Sequence, residues 1–109
     1  MEFGHKIKKK IEINKFLEQI QEFEEKDIET SHHSFFRFSE KQREIYNDKF
    51  IKNMLLCETP FLVGIQNNNL WASFYEYDGE IWRIIIDLSS NKIYIVTFYT
   101  INEEQIPKI

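Results

Sequence analysis

The sequence predicts an α+β fold in which N-terminal helices are followed by a four-stranded antiparallel sheet. Apolar residues recur at helical spacing from Phe16 to Leu56, and from Phe61 onward the period changes to two. The second half holds four such alternating, aromatic-rich segments, each closed by a turn signal. No low-complexity stretch or second composition regime interrupts the 109 residues, so one domain is expected. It divides into a lead-in (1–13), a helical part (14–56), a sheet (61–100) and a tail (101–109).

In the lead-in, Lys6, Lys8, Lys9 and Lys10 interrupt Ile7, Ile11 and Ile13, which suits either a short edge strand or a frayed start. The lysines read as phosphate contacts or as charges that keep an exposed edge from pairing. Asn14 to Glu25 is expected to be a helix capped by Asn14, with Phe16, Leu17, Ile20 and Phe23 on its packed face. Glu22, Glu24 and Glu25 oppose the helix dipole and predict fraying of the last turn. A central helix over Ser31 to Ile45 would place His33, Arg37, Glu40 and Glu44 along one face. Asn47 and Asp48 signal the next start, ahead of Phe50, Ile51, Met54, Leu55 and Leu56, and this helix ends before Thr59 and Pro60.

Strands are expected at Phe61–Gln66, Leu70–Tyr77, Ile81–Leu88 and Ile93–Thr100, joined by Asn67–Asn69, Asp78-Gly79 and Ser89–Asn91. Asp78-Gly79 is the strongest hairpin signal, because a type I′ turn needs two residues that tolerate positive φ. It sets Tyr75 opposite Trp82 and Ser73 opposite Ile84. If Ser90 and Asn91 close the last turn, Ile84 and Trp82 face Thr97 and Tyr99. One face then carries Trp71, Ser73, Tyr75, Tyr77, Trp82, Thr97 and Tyr99, and the other Leu70, Ala72, Phe74, Ile85, Val96 and Phe98. The second set reads as the helix-packing face. The first has rings with polar handles, as a surface that stacks bases, meets a protein partner or joins a second copy of the chain would. Arg83 falls on the apolar face in this register, so it sits at the sheet margin or the register is off by one.

A formal net charge of −4 excludes non-specific coating of nucleic acid by global attraction. The tract from Ser34 to Leu56 is the local exception, with Arg37, Lys41, Arg43, Lys49 and Lys52 against Glu40, Glu44 and Asp48. Cys57 is the only cysteine, which rules out an internal disulfide and makes a packing role the expectation. No metal site or cofactor is expected, since adjacent His32 and His33 diverge by about 100° on a helix. His32, with Phe36 one turn on, reads as a surface or capping residue. No apolar run approaches the roughly 18 residues of a membrane span, and no secretory leader is legible, so a cytoplasmic location is expected.

His33, Arg37, Glu40 and Lys41, followed by Ile45, a helix ending at Pro60 and the strand phrase IVTFY, resemble a group of small domains in the RelE-like superfamily. The superfamily is also called barnase, EndoU, colicin and RelE. The resemblance covers Ile28 to Thr100 and implies two helices followed by a four-stranded antiparallel sheet. It further implies a metal-independent ribonuclease, often a toxin held by an antitoxin-type protein, with RNA as substrate. His33 and Arg37 would be the helix-borne polar pair, and Thr97 or Tyr99 would contribute from the last strand. Lys41 stands where the family has a second arginine, and Arg43 follows two positions on.

Cleavage of RNA without a metal needs a base for the 2′-hydroxyl proton, a cation beside the phosphorane oxygens and an acid for the leaving 5′-oxygen. His33 suits the acid–base role and Arg37 the planar phosphate fork. Tyr99 would supply a proton or a hydrogen bond. Glu40 would be a second acid–base group or a partner for Arg37. Trp71, Tyr75 and Trp82 would stack the flanking base, with Lys41, Arg43 and Arg83 as phosphate contacts. A solvated helix face and buried indoles are the alternative reading of the same residues.

Overall fold

The computed structural model describes residues 5–35, 38–89 and 91–109, without the side chains of His33 and Ser34. Its centre is one six-stranded sheet. The strands are β1 (Ile7–Lys10), β2 (Ile28–Thr30), β3 (Leu62–Gln66), β4 (Trp71–Tyr77), β5 (Glu80–Leu88) and β6 (Ile93–Ile101), in spatial order β1-β3-β4-β5-β6-β2. β2 runs parallel to β6 and every other pair is antiparallel. Three α-helices are described: α1 (Ile13–Ile20), α2 (Glu40–Ile45) and α3 (Asp48–Cys57).

The class is α+β as expected, but the sheet is mixed and six-stranded, and a strand comes before the first helix. Both additions are short edges. β1 is the lysine-rich lead-in, whose Ile11 N–H reaches the Val63 carbonyl at 2.9 Å just beyond the strand. β2 has three residues, too few for a period to show, and gains its register only by lying beside Ile93–Ile95.

The helices also differ from their expected bounds. α1 begins at Ile13 with Glu12 at its N-cap, so Asn14 lies inside it, and it stops at Ile20. The acidic residues beyond turn instead into a short 3₁₀ segment, where the Glu24 N–H donates to Asp27 at 2.9 Å. The single helix over Ser31–Ile45 is replaced by a 3₁₀ turn at His32–Phe35 and a separate α2. Ser39 is extended (φ −67°, ψ 166°) and caps α2, accepting from the Gln42 N–H while the Gln42 side chain accepts from the Ser39 N–H. α3 starts where predicted, with the Asn47 side chain accepting from the Phe50 N–H at 3.0 Å.

The hairpin at Asp78-Gly79 forms as read, with φ of 53° and 78°, and pairs Tyr75 with Trp82 and Ser73 with Ile84. Asn69 takes φ 70° to close the β3–β4 turn. β5 and β6 begin in the expected register, Leu88 opposite Ile93 and Ile86 opposite Ile95. The joint itself includes Ser90, which lies outside the described residues. A bulge then intervenes: Ile85 faces Thr97, Ile84 faces Phe98 and Arg83 faces Tyr99, leaving Val96 as the extra residue.

That shift decides both faces. α1 and α3 cover Val63, Tyr75, Trp82, Ile84, Ile86, Ile95 and Phe98. The reverse face buries Leu62, Ala72, Phe74, Ile85, Tyr99 and Ile101, with Ile7 and Ile106 packed against them. For β4 and β5 the expected faces are therefore inverted, with Trp71, Tyr75 and Trp82 under the helices and Ala72, Phe74 and Ile85 on the reverse face, whereas Phe98 packs on the helix side and Tyr99 lies opposite it, as expected. Two helices and a strap hold more apolar surface than a few tail residues, so the larger rings go to the thicker layer.

Gly64 is where the reverse face is thinnest. A Cβ there would come 2.4 Å from Ile7 Cγ2 and 3.0 Å from the Lys9 carbonyl oxygen. Gly64→Ala is expected to cost about 1–3 kcal/mol by overpacking and to loosen β1 first. Thermal unfolding together with amide exchange at Ile11 tests this, and adding Ile7→Ala should restore part of the loss.

Candidate functional site

From Thr30 the chain leaves β2, crosses the helix-covered face of the sheet, and returns at Asp48 to begin α3. The intervening strap is anchored by rings. Phe35 meets Phe98 edge-on at 5.6 Å; Phe38 lies 5.3 Å from Phe98 and 5.5 Å from Tyr46; and Tyr46 lies 5.0 Å from Trp82. Between Phe38 and Tyr46 stands α2, which has no buried residue. Its stability is local: the Ser39–Gln42 cap, and Arg43 Nε donating to the Phe35 carbonyl at 2.9 Å. Glu40, Lys41 and Arg43 are consequently all exposed on a rigidly footed projection, as in an Ω-type loop whose ends are close.

The ends of the strap are joined by charge. Asp48 faces Lys52 Nζ at 2.8 Å and the Thr30 hydroxyl at the end of β2. Partial burial opposes the Asp48 carboxylate, but Lys52 and Thr30 outweigh it and hold its pKa below the ordinary aspartate value. None of these three residues was singled out as functional from the sequence. The Asp48/Lys52 spacing of one helical turn is a legible signal, while Thr30 belongs to a strand too short to read.

The predicted site residues fall into separate places. Arg37 and the His33 side chain lie outside the described residues, although the His32–Phe35 turn sits above Phe98 on the helix side. Tyr99 and Thr97 are on the other face, Tyr99 being 6% exposed and paired across the ladder with Arg83. The expected approach of the strap to Thr97 and Tyr99 is thus corrected by the bulge, which turns both away from it. Tyr75 and Trp82 are each 1% exposed beneath the helices, and Trp71 packs its ring 6.1 Å from Phe16. Tyr75 and Trp82 are core rings with no face left to stack a base, and Trp71 is half-buried against the same core.

Arg83 is neither at a margin nor on the surface. It is 2% exposed on the reverse face, 5.1 Å over the Phe74 ring, and its Nη2 donates to Gln66 Oε1 at 2.7 Å and to the His5 carbonyl at 2.8 Å. Gln66 in turn donates to Asn68 Oδ1, which also accepts from the Leu70 N–H. Burial lowers the Arg83 pKa, opposed by the charge of nearby Tyr99. Arg83 therefore ties His5, just ahead of β1, to the β3–β4 turn. Burial likewise raises the Tyr75 phenol, whose hydroxyl lies next to Ser73, so it stays protonated.

Among the described residues no group of three or more His, Cys, Asp or Glu side chains could hold a metal ion, and no helix is long and apolar enough to cross a membrane. Comparison with known families, with characterised proteins and with solved structures finds no match to this chain.

Two outcomes follow from the strap's construction. Ser39→Ala should destabilise α2 by about 1 kcal/mol. Because α2 buries nothing, the loss should appear as faster exchange of the Gln42 amide with little change in global melting. Asp48→Asn should lower the melting temperature at neutral pH, by the small amount an exposed i,i+4 pair supplies. A depressed carboxylate pKa stabilises above its unfolded value of about 3.9 and loses that contribution as pH falls through the folded value. The two melting curves should therefore converge below about pH 4.

Proposed function

We propose that this chain is an RNA-directed domain related to the RelE-like proteins, which engages the phosphate backbone through the strap. His33 is its acid–base group and Arg37 its phosphate ligand. The observation that carries the reading is α2: a fully exposed, aromatically anchored projection that presents Lys41 and Arg43 in an otherwise acidic protein. A guanidinium and an ammonium held clear of the core meet phosphate oxygens without desolvating a core residue. Arg43 keeps its terminal nitrogens for this while Nε holds the strap. The spacing of His33, Arg37, Glu40 and Lys41 and the antiparallel run β3 to β6 support the relationship. Cytoplasmic location and an antitoxin-type partner belong to this proposal as well.

A second reading, RNA binding without cleavage, is favoured by one observation. Tyr99 and Thr97 belong to the face turned away from the strap, whereas the resemblance implies that one of them contributes to the catalytic site.

Single-stranded RNA incubated with the protein in a chelator separates the two. The first reading expects fragments ending in 2′,3′-cyclic phosphate, lost in His33→Ala. The second expects binding with intact RNA. In both, Lys41→Ala should reduce the slope of log affinity against log salt by about 0.7, the share of one phosphate contact on a single strand. The absence of both cleavage and salt-dependent binding would overturn the proposal.

A further inference from the structure

At the end of the molecule that holds the β4–β5 hairpin, α3 and the hairpin part to leave a groove of about 260 Å³. Phe50, Met54, Cys57 and Tyr77 give it an apolar floor and wall, and Asn53 and Glu58 complete the lining. Tyr77 is 40% exposed although its ring rests edge-on against Phe50 at 5.6 Å. Met54 is buried at the floor, so what the groove leaves open to water is the Tyr77 ring and the Cys57 thiol, with Phe50 half-buried between them.

The rim indicates what that is. Glu80 is the cross-strand neighbour of Tyr77, Asp78 is the turn residue beside it, and Glu58 stands on the opposite wall. A second cleft of about 570 Å³ meets the groove at Tyr77 and is lined by Asp78 and Glu80 together with Glu76 and Glu103. Among the described residues no lysine, arginine or histidine pairs with any of these five carboxylates; the ion pairs lie elsewhere, at Lys26–Glu24, Lys52–Asp48 and Lys92–Glu29. Three of them, Glu58 in the lining and Asp78 and Glu80 beside Tyr77, stand about the apolar groove, where they repel one another and attract a cation. A phosphate backbone would be repelled, so this is not an extension of the strap surface.

We propose that the groove docks a protein segment carrying one or two bulky aliphatic side chains flanked by lysine or arginine. The aliphatic groups enter between Phe50 and Tyr77, and the cations meet Glu58, Asp78 and Glu80. The groove is a surface cleft lined by six residues, which suits a segment laid across it better than an enclosed small molecule. Apolar anchoring supplies the affinity and the acidic rim selects the partner's charge.

The probe is a synthetic helical peptide with leucines on one face and lysines on either side, titrated into the full chain and followed by the Met54 methyl and Tyr77 ring resonances. It should shift both signals saturably and slow alkylation of the Cys57 thiol. Asp78→Asn with Glu80→Gln should weaken it roughly fivefold, as two screened rim charges would. Asparagine tolerates the positive φ at position 78, so the hairpin is kept. Equal binding by a peptide with alanine for leucine, unmoved Met54 and Tyr77 signals, or an unweakened double variant would each overturn the proposal. A shift of these signals by single-stranded RNA would do so too.

Discussion

Val96 is one residue more than the β5–β6 ladder can pair, and the arrangement of both faces depends on it. Side chains alternate along a strand, so a one-residue shift exchanges everything beyond it between faces. Before the bulge, Ile93 and Ile95 point into the helix layer. After it, Phe98 does so in place of Thr97 and Tyr99. Phe98 is what Phe35 and Phe38 rest on, so the strap has a footing only because the bulge is there. On the reverse face the same shift sets Tyr99 across the ladder from Arg83.

Trp82 is the second fixed point. Phe38, Tyr46, Phe50 and Phe98 surround it with ring centroids between 5.0 and 6.3 Å, drawn from the strap, α3 and β6. Tilted and edge-on ring pairs are each worth about 0.5–1.5 kcal/mol beyond the area they bury. Such a cluster allows a segment with no buried helix of its own to be held in place. It also explains the aromatic abundance of the sequence: the rings are spent on fixing the strap and not on a stacking surface.

The legibility of each element followed the range of the interaction that sets it. The Asp78-Gly79 turn, the Asn47 cap and the three tight strand partners near them depend on residues a few positions apart, and they stood where the pattern put them. The bulge has no local marker, for Val96 and Thr97 are ordinary strand residues and the driving force is burial of Phe98 from another part of the chain. β2 is defined by a parallel neighbour more than sixty positions away. The strap was misjudged for a different reason. Ser39 and Gln42 form a capping box that was written in the sequence, but the three- and four-residue spacing of His33, Arg37, Glu40 and Glu44 suggested one continuous helix. Arg83 defied the rule that charge sits outside, because its partners are a glutamine, a backbone carbonyl and a ring.

The net charge of −4 describes neither end of the helix side. α3 runs for ten residues from Asp48, at the foot of the strap that carries Lys41 and Arg43 beside Glu40 and Glu44, to Cys57 at the groove. That is about 15 Å, or nearly two Debye lengths at physiological salt. A ligand at one end therefore feels little of the charge at the other, and each surface can hold a partner of opposite sign. What connects them is contact, since Phe50 touches Tyr46 and Trp82 on the strap side and Tyr77 on the groove side, all within 5.6 Å. Phe50 is thus packed into both the footing of the strap and the wall of the groove.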